Sequence, residues 1–199
     1  MSQPYPRKDP PVDYPILDVI KKRWSPVAFS SEPIEPEKIK SLFEAMRWAP
    51  SSFNGQPWRV VYATQDKPEQ FGKIASLLNE GNAWAKQAYM LLVICSVQDF
   101  EHNGKPNKHH QYDTGAGLEN LFLQAVSMDL VAHEMAGYDE EKSYELLKIP
   151  KDKVKSMAMM AIGYPGDVAA LQEKLQNYQG GKRERKPIEE VALEGEWKA

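Results

Sequence analysis

Residues 49–58 read Ala49-Pro50-Ser51-Ser52-Phe53-Asn54-Gly55-Gln56-Pro57-Trp58. Upstream, Pro36 opens a helix whose apolar positions Ile39, Leu42, Phe43 and Met46 recur at helical spacing, and Pro50 ends it. Downstream, residues 58–64 (WRVVYAT) are rich in β-branched and aromatic side chains and read as a strand. The connection between them is built from residues that turn the chain or hydrogen-bond locally. Asn54 and Gln56 each present donor and acceptor together. A flat heterocycle bearing alternating N–H and C=O groups needs that pair of functions. A capped helix-to-strand turn would use it equally well.

Working outward, residues 1–14 are proline-rich, and Pro10 and Pro11 keep them extended. Ile16, Val19 and Ile20 form one helical stripe that should stop near Ser25, because Pro26 restricts the residue before it. Past the first strand, Asp66 is a candidate N-cap for a helix running to about residue 78. Residues 79–88 (NEGNAWAKQA) read as a loop and short helix, and 89–96 as a second strand, apolar on both faces and therefore central. Residues 98–111 read as a mobile polar excursion. Leu118, Leu121, Phe122 and Ala125 line one face of a helix over 113–128. Asp139 caps a shorter helix ending near residue 147, after a loop at 133–138. Residues 157–163 read as a third strand, followed by a turn at Tyr164-Pro165-Gly166, a helix over 167–175 and an extended, charged tail. The fold class is α+β, one domain over 1–199.

Composition removes several function classes. A formal net charge of -3 offers no basic field for nucleic acid or anionic lipid. No stretch reaches the roughly 18 apolar residues that span a bilayer, and the first residues lack the apolar core of a signal peptide, so the expected place is the cytoplasm. The single cysteine, Cys95, allows no intramolecular disulfide and lies in an apolar run, where a buried inert thiol is expected. GxGxxG, GxxxxGK[ST], GxSxG and HExxH are all absent, and the adjacent His109 and His110 point apart in any regular element, so no metal is expected.

What remains is a dispersed set of phosphate- and amide-reading groups. Arg23 offers a rigid fork of donors and Ser25 a hydroxyl, which suits a phosphate; the same pair suits a surface arginine at a helix C-terminus. Gly115 and Gly117 allow a close approach, either of a ring or of a neighbouring helix. The small residues in His133-Glu134-Met135-Ala136-Gly137-Tyr138 leave backbone N–H groups free. Arg183 and Arg185 alternate in an extended segment and so share one side, as phosphate ligands or as part of a solvated charge run.

In order along the chain, these segments resemble the nitroreductase family of flavoproteins. Arg23-Trp24-Ser25-Pro26-Val27-Ala28-Phe29 is similar to its opening Arg-x-Ser-x-Arg-x-Phe motif. Residues 49–58 match every specified position of Ala-Pro-Ser-x-x-Asn-x-Gln-Pro-Trp. Asn82-Ala83-Trp84, YDTGAGLENLFLQA, HEMAGYD, the Ile162-Gly163-Tyr164-Pro165 strand end and Arg183-Glu184-Arg185-Lys186-Pro187 follow in order. The resemblance implies a central mixed sheet wrapped by helices and an intertwined homodimer with FMN at the subunit interface. It implies that Arg23, Trp24, Ser25, Arg183 and Arg185 border the phosphate. Asn54, Gln56 and Asn82 would read the ribityl chain and ring edge. Pro50, Ser51 and Ser52 would reach the partner's flavin, as the 180–199 extension would reach the partner itself. Met135, Ala136 and Gly137 would lie by the ring.

Two positions depart from the family. Val27 stands where a second base is usual, which should weaken FMN by roughly one to two orders of magnitude unless Lys182 or another base substitutes. Ala136 stands where some members carry a glutamate. The implied chemistry is reduction of small electron-poor oxidants, such as nitro compounds or quinones, by NADH or NADPH through FMN, with alternating substrates and no assigned catalytic side chain. Two other classes stay open: an FMN-binding protein for storage or sensing, and a relative using reduced FMN for dehalogenation, flavin fragmentation or enone reduction.

Overall fold

A computed structural model describes residues 3–197. The strand β3 (Met90–Val97) is buried on both faces. Alternate residues of a strand point to opposite sides. Met90, Leu92 and Ile94 therefore join one apolar layer with Leu42, Met46, Leu118, Leu121 and Phe122, carried by α2 (Pro36–Arg47) and α4 (His110–Ser127). Leu91, Val93 and Cys95 join a second layer with Ile74 of α3 (Pro68–Ala75) and Tyr144 of α5 (Glu140–Leu146). Helices thus cover both faces of one sheet, as the two-sided apolar run required. Burial pushes the Cys95 thiol up to about 12, so it is an inert core residue, as expected.

The sheet draws strands from the whole chain. β2 (Trp58–Thr64) pairs with β3 from Trp58↔Ser96 to Thr64↔Met90. β5 (Val154–Pro165) pairs with β3 on the other side, Met90↔Ile162 to Val97↔Val154. β4 (Val131–Met135) and β1 (Phe29–Ser30) both pair with β5. Every described pairing is antiparallel.

Several local expectations change. The loop expected at 133–138 begins inside β4, because Val131 and Ala132 are buried against β5 while Glu134 faces out. The expected turn at Tyr164-Pro165-Gly166 is the end of β5. A Cβ on Gly166 would stand 2.3 Å from the Phe29 carbonyl oxygen, so only glycine lets β1 close there. Asp66 does not cap α3. Its carboxylate accepts the Tyr89 hydroxyl, and the helix starts at Pro68. The expected helix over 167–175 is split. Asp167 caps a single turn, Val168–Ala170, by accepting the Ala169 N–H at 2.9 Å, and α6 (Glu173–Gly180) follows an extended Leu171. Asp139 does cap α5, accepting the Lys142 N–H at 2.9 Å. The tail contains a short helix, α7 (Ile188–Val191).

Residues 98–106 are a self-bonded loop. Asp99 bridges Pro106, the Phe100 N–H donates to the Lys105 carbonyl at 2.8 Å, and Glu101 pairs with Arg59 at 2.6 Å. The aromatic residues supply what the polar composition hid: Phe100 meets Phe53 edge to face, ring centres 5.9 Å apart.

Candidate functional site

The first helix, α1 (Asp18–Lys22), ends at Arg23, whose extended backbone sends Trp24 into the core. The Trp24 indole N–H donates to the Pro6 carbonyl at 2.6 Å, which ties the N-terminal segment to this turn. A cavity of about 550 Å³ opens beside it, lined by Arg23, Trp24 and Ser25, by Lys182, Arg183 and Arg185 from the tail, and by Lys8 and Tyr178. Sequence positions more than 150 apart thus meet as the dispersed motifs implied. A second cavity, of about 330 Å³, shares Arg23, Arg183 and Arg185 and is otherwise walled by apolar residues including Val12, Ile16 and Ile20 and by the acids Glu119 and Glu184. The arginines therefore form a basic wall shared by the two recesses.

The charges in this wall are only partly neutralised, with Glu119 and Glu184 the acids among the lining residues. The carboxylate of Glu119 stands 3.9 Å from the Arg23 guanidinium, at the limit of an ion pair. Burial, with the Arg23 and Arg185 charges, pulls the Arg183 guanidinium below its ordinary value. Like charges held together in partial burial cost free energy until an anion joins them, so the arrangement suits a phosphate. Arg183 also donates to the carbonyls of Lys8, at 2.8 Å, and Lys21. Arg185 is exposed, and one of its N–H groups reaches the Glu184 carbonyl at 2.7 Å.

Val27 cannot serve that wall. It is 1% exposed, and its N–H donates to Oε1 of Gln179 at 2.8 Å, with the Ala28 N–H reaching the same oxygen at 3.2 Å.

The connection at 50–57 forms a separate cluster. Phe53, Asn54 and Gln56 have φ of 50°, 54° and 45°, in the left-handed region. Such backbone costs about 1–3 kcal/mol per residue and persists where surroundings dictate it. Here Asp113 of α4 accepts the Ser52 N–H at 3.0 Å, and the Ser51 hydroxyl oxygen accepts the Gln56 N–H at 3.1 Å. Asn54 and Gln56 are exposed and line a third cavity, of about 360 Å³, with Arg59 and His102. Pro50 is exposed, and Ser51 and Ser52 are half-buried.

Asn82 and the 135–137 segment form a third cluster. Asn82 Nδ2 donates to the Gly137 carbonyl at 2.9 Å. A Cβ on Gly137 would fall 2.7 Å from that nitrogen. Met135 is buried and Ala136 exposed. This cluster adjoins the basic cavity through rings: His133 of β4 meets Trp84 at 4.7 Å and Tyr178, a wall of the cavity, at 6.3 Å. A Cβ on Gly117 would stand 3.3 Å from Met46, the helix–helix alternative of the two left open, while one on Gly115 would face open space. Among the described residues no group of three or more His, Cys, Asp and Glu converges.

Sequence reasoning missed Lys8 and Tyr178. Neither lies in a recurring pattern, and both reach the cavity through tertiary packing.

The profile of the nitroreductase family matches residues 20–80 and 64–164. An uncharacterized 15.4 kDa protein in the ask 5′ region of Mycolicibacterium smegmatis is 35% identical over 129 residues, 65% of this chain and 85% of its own. FMN reductase (NAD(P)H) of Bacillus subtilis is 28% identical over 165 residues, 74% of this chain and 65% of its own length. A crystal structure described as an oxidoreductase containing FMN superposes with a TM-score of 0.89 and 35% identity, over 100% of this chain and 99% of that one. No described helix is long and apolar enough to cross a membrane.

Proposed function

The chain belongs to the nitroreductase family, and we propose that it is an FMN-dependent oxidoreductase that uses NADH or NADPH to reduce small electron-poor molecules, working as a cytoplasmic homodimer of one domain per chain. The observation that carries this reading is the basic wall of Arg23, Arg183 and Arg185, whose mutual repulsion an anion would relieve. A terminal phosphate fits such a donor set. The names of the Bacillus subtilis enzyme and of the superposed crystal structure support FMN as the group that brings it.

Bound FMN would supply a two-electron carrier that accepts hydride at N5 and passes it to the oxidant. The protein supplies binding and electrostatics. Arg23, Arg183 and Arg185 hold the phosphate, with the Ser25 hydroxyl beside them. Asn54, Gln56 and Asn82 read the ribityl chain and ring edge, and Met135, Ala136 and Gly137 lie by the ring. Pro50, Ser51 and Ser52 serve the partner's flavin. The apolar side chains left in solvent, among them Leu17 at 68%, Trp48 at 73% and Phe53 at 84%, support a partner subunit. No side chain is given a proton-transfer role.

Mass analysis of the flavin released after reconstitution tests the reading. FMN supports it. FAD, or no flavin retained, overturns it.

A further inference from the structure

Val27 removes a base from the place where the family carries one, and the fold brings another to the same pocket from elsewhere. We propose that Lys8, on the N-terminal segment, is a phosphate ligand that takes the place of the base absent at position 27. This rests on the FMN reading above.

Three observations carry it. First, Lys8 lines the same cavity as Arg23, Ser25, Arg183 and Arg185. Its ammonium lies 4.6 Å from the centre of the Trp24 ring and donates to the Gln179 carbonyl at 2.7 Å. An ammonium has three donors, so two remain for a ligand. Second, its backbone is held in place. The Lys8 carbonyl accepts from Arg183 at 2.8 Å, the Pro6 carbonyl from Trp24 at 2.6 Å, and the Tyr5 hydroxyl donates to the Lys22 carbonyl at 3.2 Å. The neighbouring acid is already engaged, since Asp9 pairs with Arg7 at 2.9 Å. Third, Gln179 joins the two positions. Its side-chain oxygen accepts the Val27 N–H and its backbone carbonyl accepts the Lys8 ammonium. Position 27 is therefore turned into the core at the point where Lys8 arrives from outside. Burial and the Arg183 charge lower the affinity of Lys8 for its proton, which fits a cation awaiting an anion.

The test compares FMN with riboflavin, which lacks the phosphate, in flavin titrations of the apo-protein and of Lys8→Gln and Lys8→Arg. Lys8→Gln should weaken FMN roughly tenfold to a hundredfold, the range of one lost charge-assisted contact. Riboflavin should stay within about twofold, and Lys8→Arg should recover most of the FMN affinity. Two results overturn the proposal: FMN affinity unchanged in Lys8→Gln, or equal losses for FMN and riboflavin, which would make Lys8 only a fastener of the N-terminal segment. A wild-type protein that binds neither flavin would instead overturn the FMN reading itself.

Discussion

The guanidinium of Arg183 donates to the carbonyl of Lys8 at 2.8 Å, across 175 positions of sequence. One tail residue therefore fastens the N-terminal segment and faces the basic cavity. Deleting residues 180–199 should release both. FMN affinity should fall by two to four orders of magnitude, the sum of about 3–6 kcal/mol if two charge-assisted contacts are lost independently. The proposed dimer should also be lost, since Val191 and Trp197, 72% and 87% exposed in the single chain, are apolar surface that a partner would cover. Size-exclusion chromatography read at the flavin band checks this. A yellow, dimeric truncation would show that the tail is dispensable.

Arg23→Ala and Val27→Arg should behave differently. In the proposed site Arg23 is a phosphate ligand, so its loss should cost FMN about tenfold to a hundredfold and leave the melting temperature nearly unchanged. Val27 is a core residue at 1% exposure, so a guanidinium there should destabilise the fold by about 3 kcal/mol or more and bring no gain in affinity. Melting curves with flavin titrations separate the two. Tighter FMN binding by a stable Val27→Arg would refute the placement of position 27.

His133 should make stability depend on pH. Burial holds its imidazole below the ordinary range, partly offset by its hydrogen bond to the Pro26 carbonyl at 3.0 Å. The unfolded chain then takes up a proton more readily than the folded one. The stability from this group is full above the unfolded value near about 6.5 and is lost as the pH falls toward the lowered folded value. His110 is lowered too, mainly by burial. The melting temperature should therefore drop between about pH 7.5 and 5, less steeply in His133→Gln and least in a double variant with His110→Gln. An unchanged slope in His133→Gln would contradict the assignment.

If both substrates use one flavin face in turn, initial rates at several fixed NAD(P)H concentrations should give parallel double-reciprocal lines. Intersecting lines would indicate a ternary complex and a separate nucleotide site.

Much of the fold was legible because periodicity reports burial. The run 89–96 announced a strand buried on both faces, and α2 and α4 followed from their stripes. β4 escaped because Val131-Ala132-His133-Glu134-Met135 mixes buried and exposed residues without a clean alternation. β1 has only two residues and exists because Gly166 admits the Phe29 backbone. The Asp66 cap failed because Tyr89, brought close by the β2–β3 pairing, takes its carboxylate. In the site, Arg23, Ser25, Arg183 and Arg185 were legible as donors and do converge. Lys8 was not, since nothing local in Pro6-Arg7-Lys8-Asp9-Pro10 marks it; only the contacts with Trp24 and Gln179 do.

The most direct test is the visible spectrum of the FMN-reconstituted protein during an anaerobic titration. The oxidised flavin bands should bleach on adding NADH or NADPH and return on adding a nitroaromatic compound. A bound flavin that neither nicotinamide reduces would contradict the proposed oxidoreductase function.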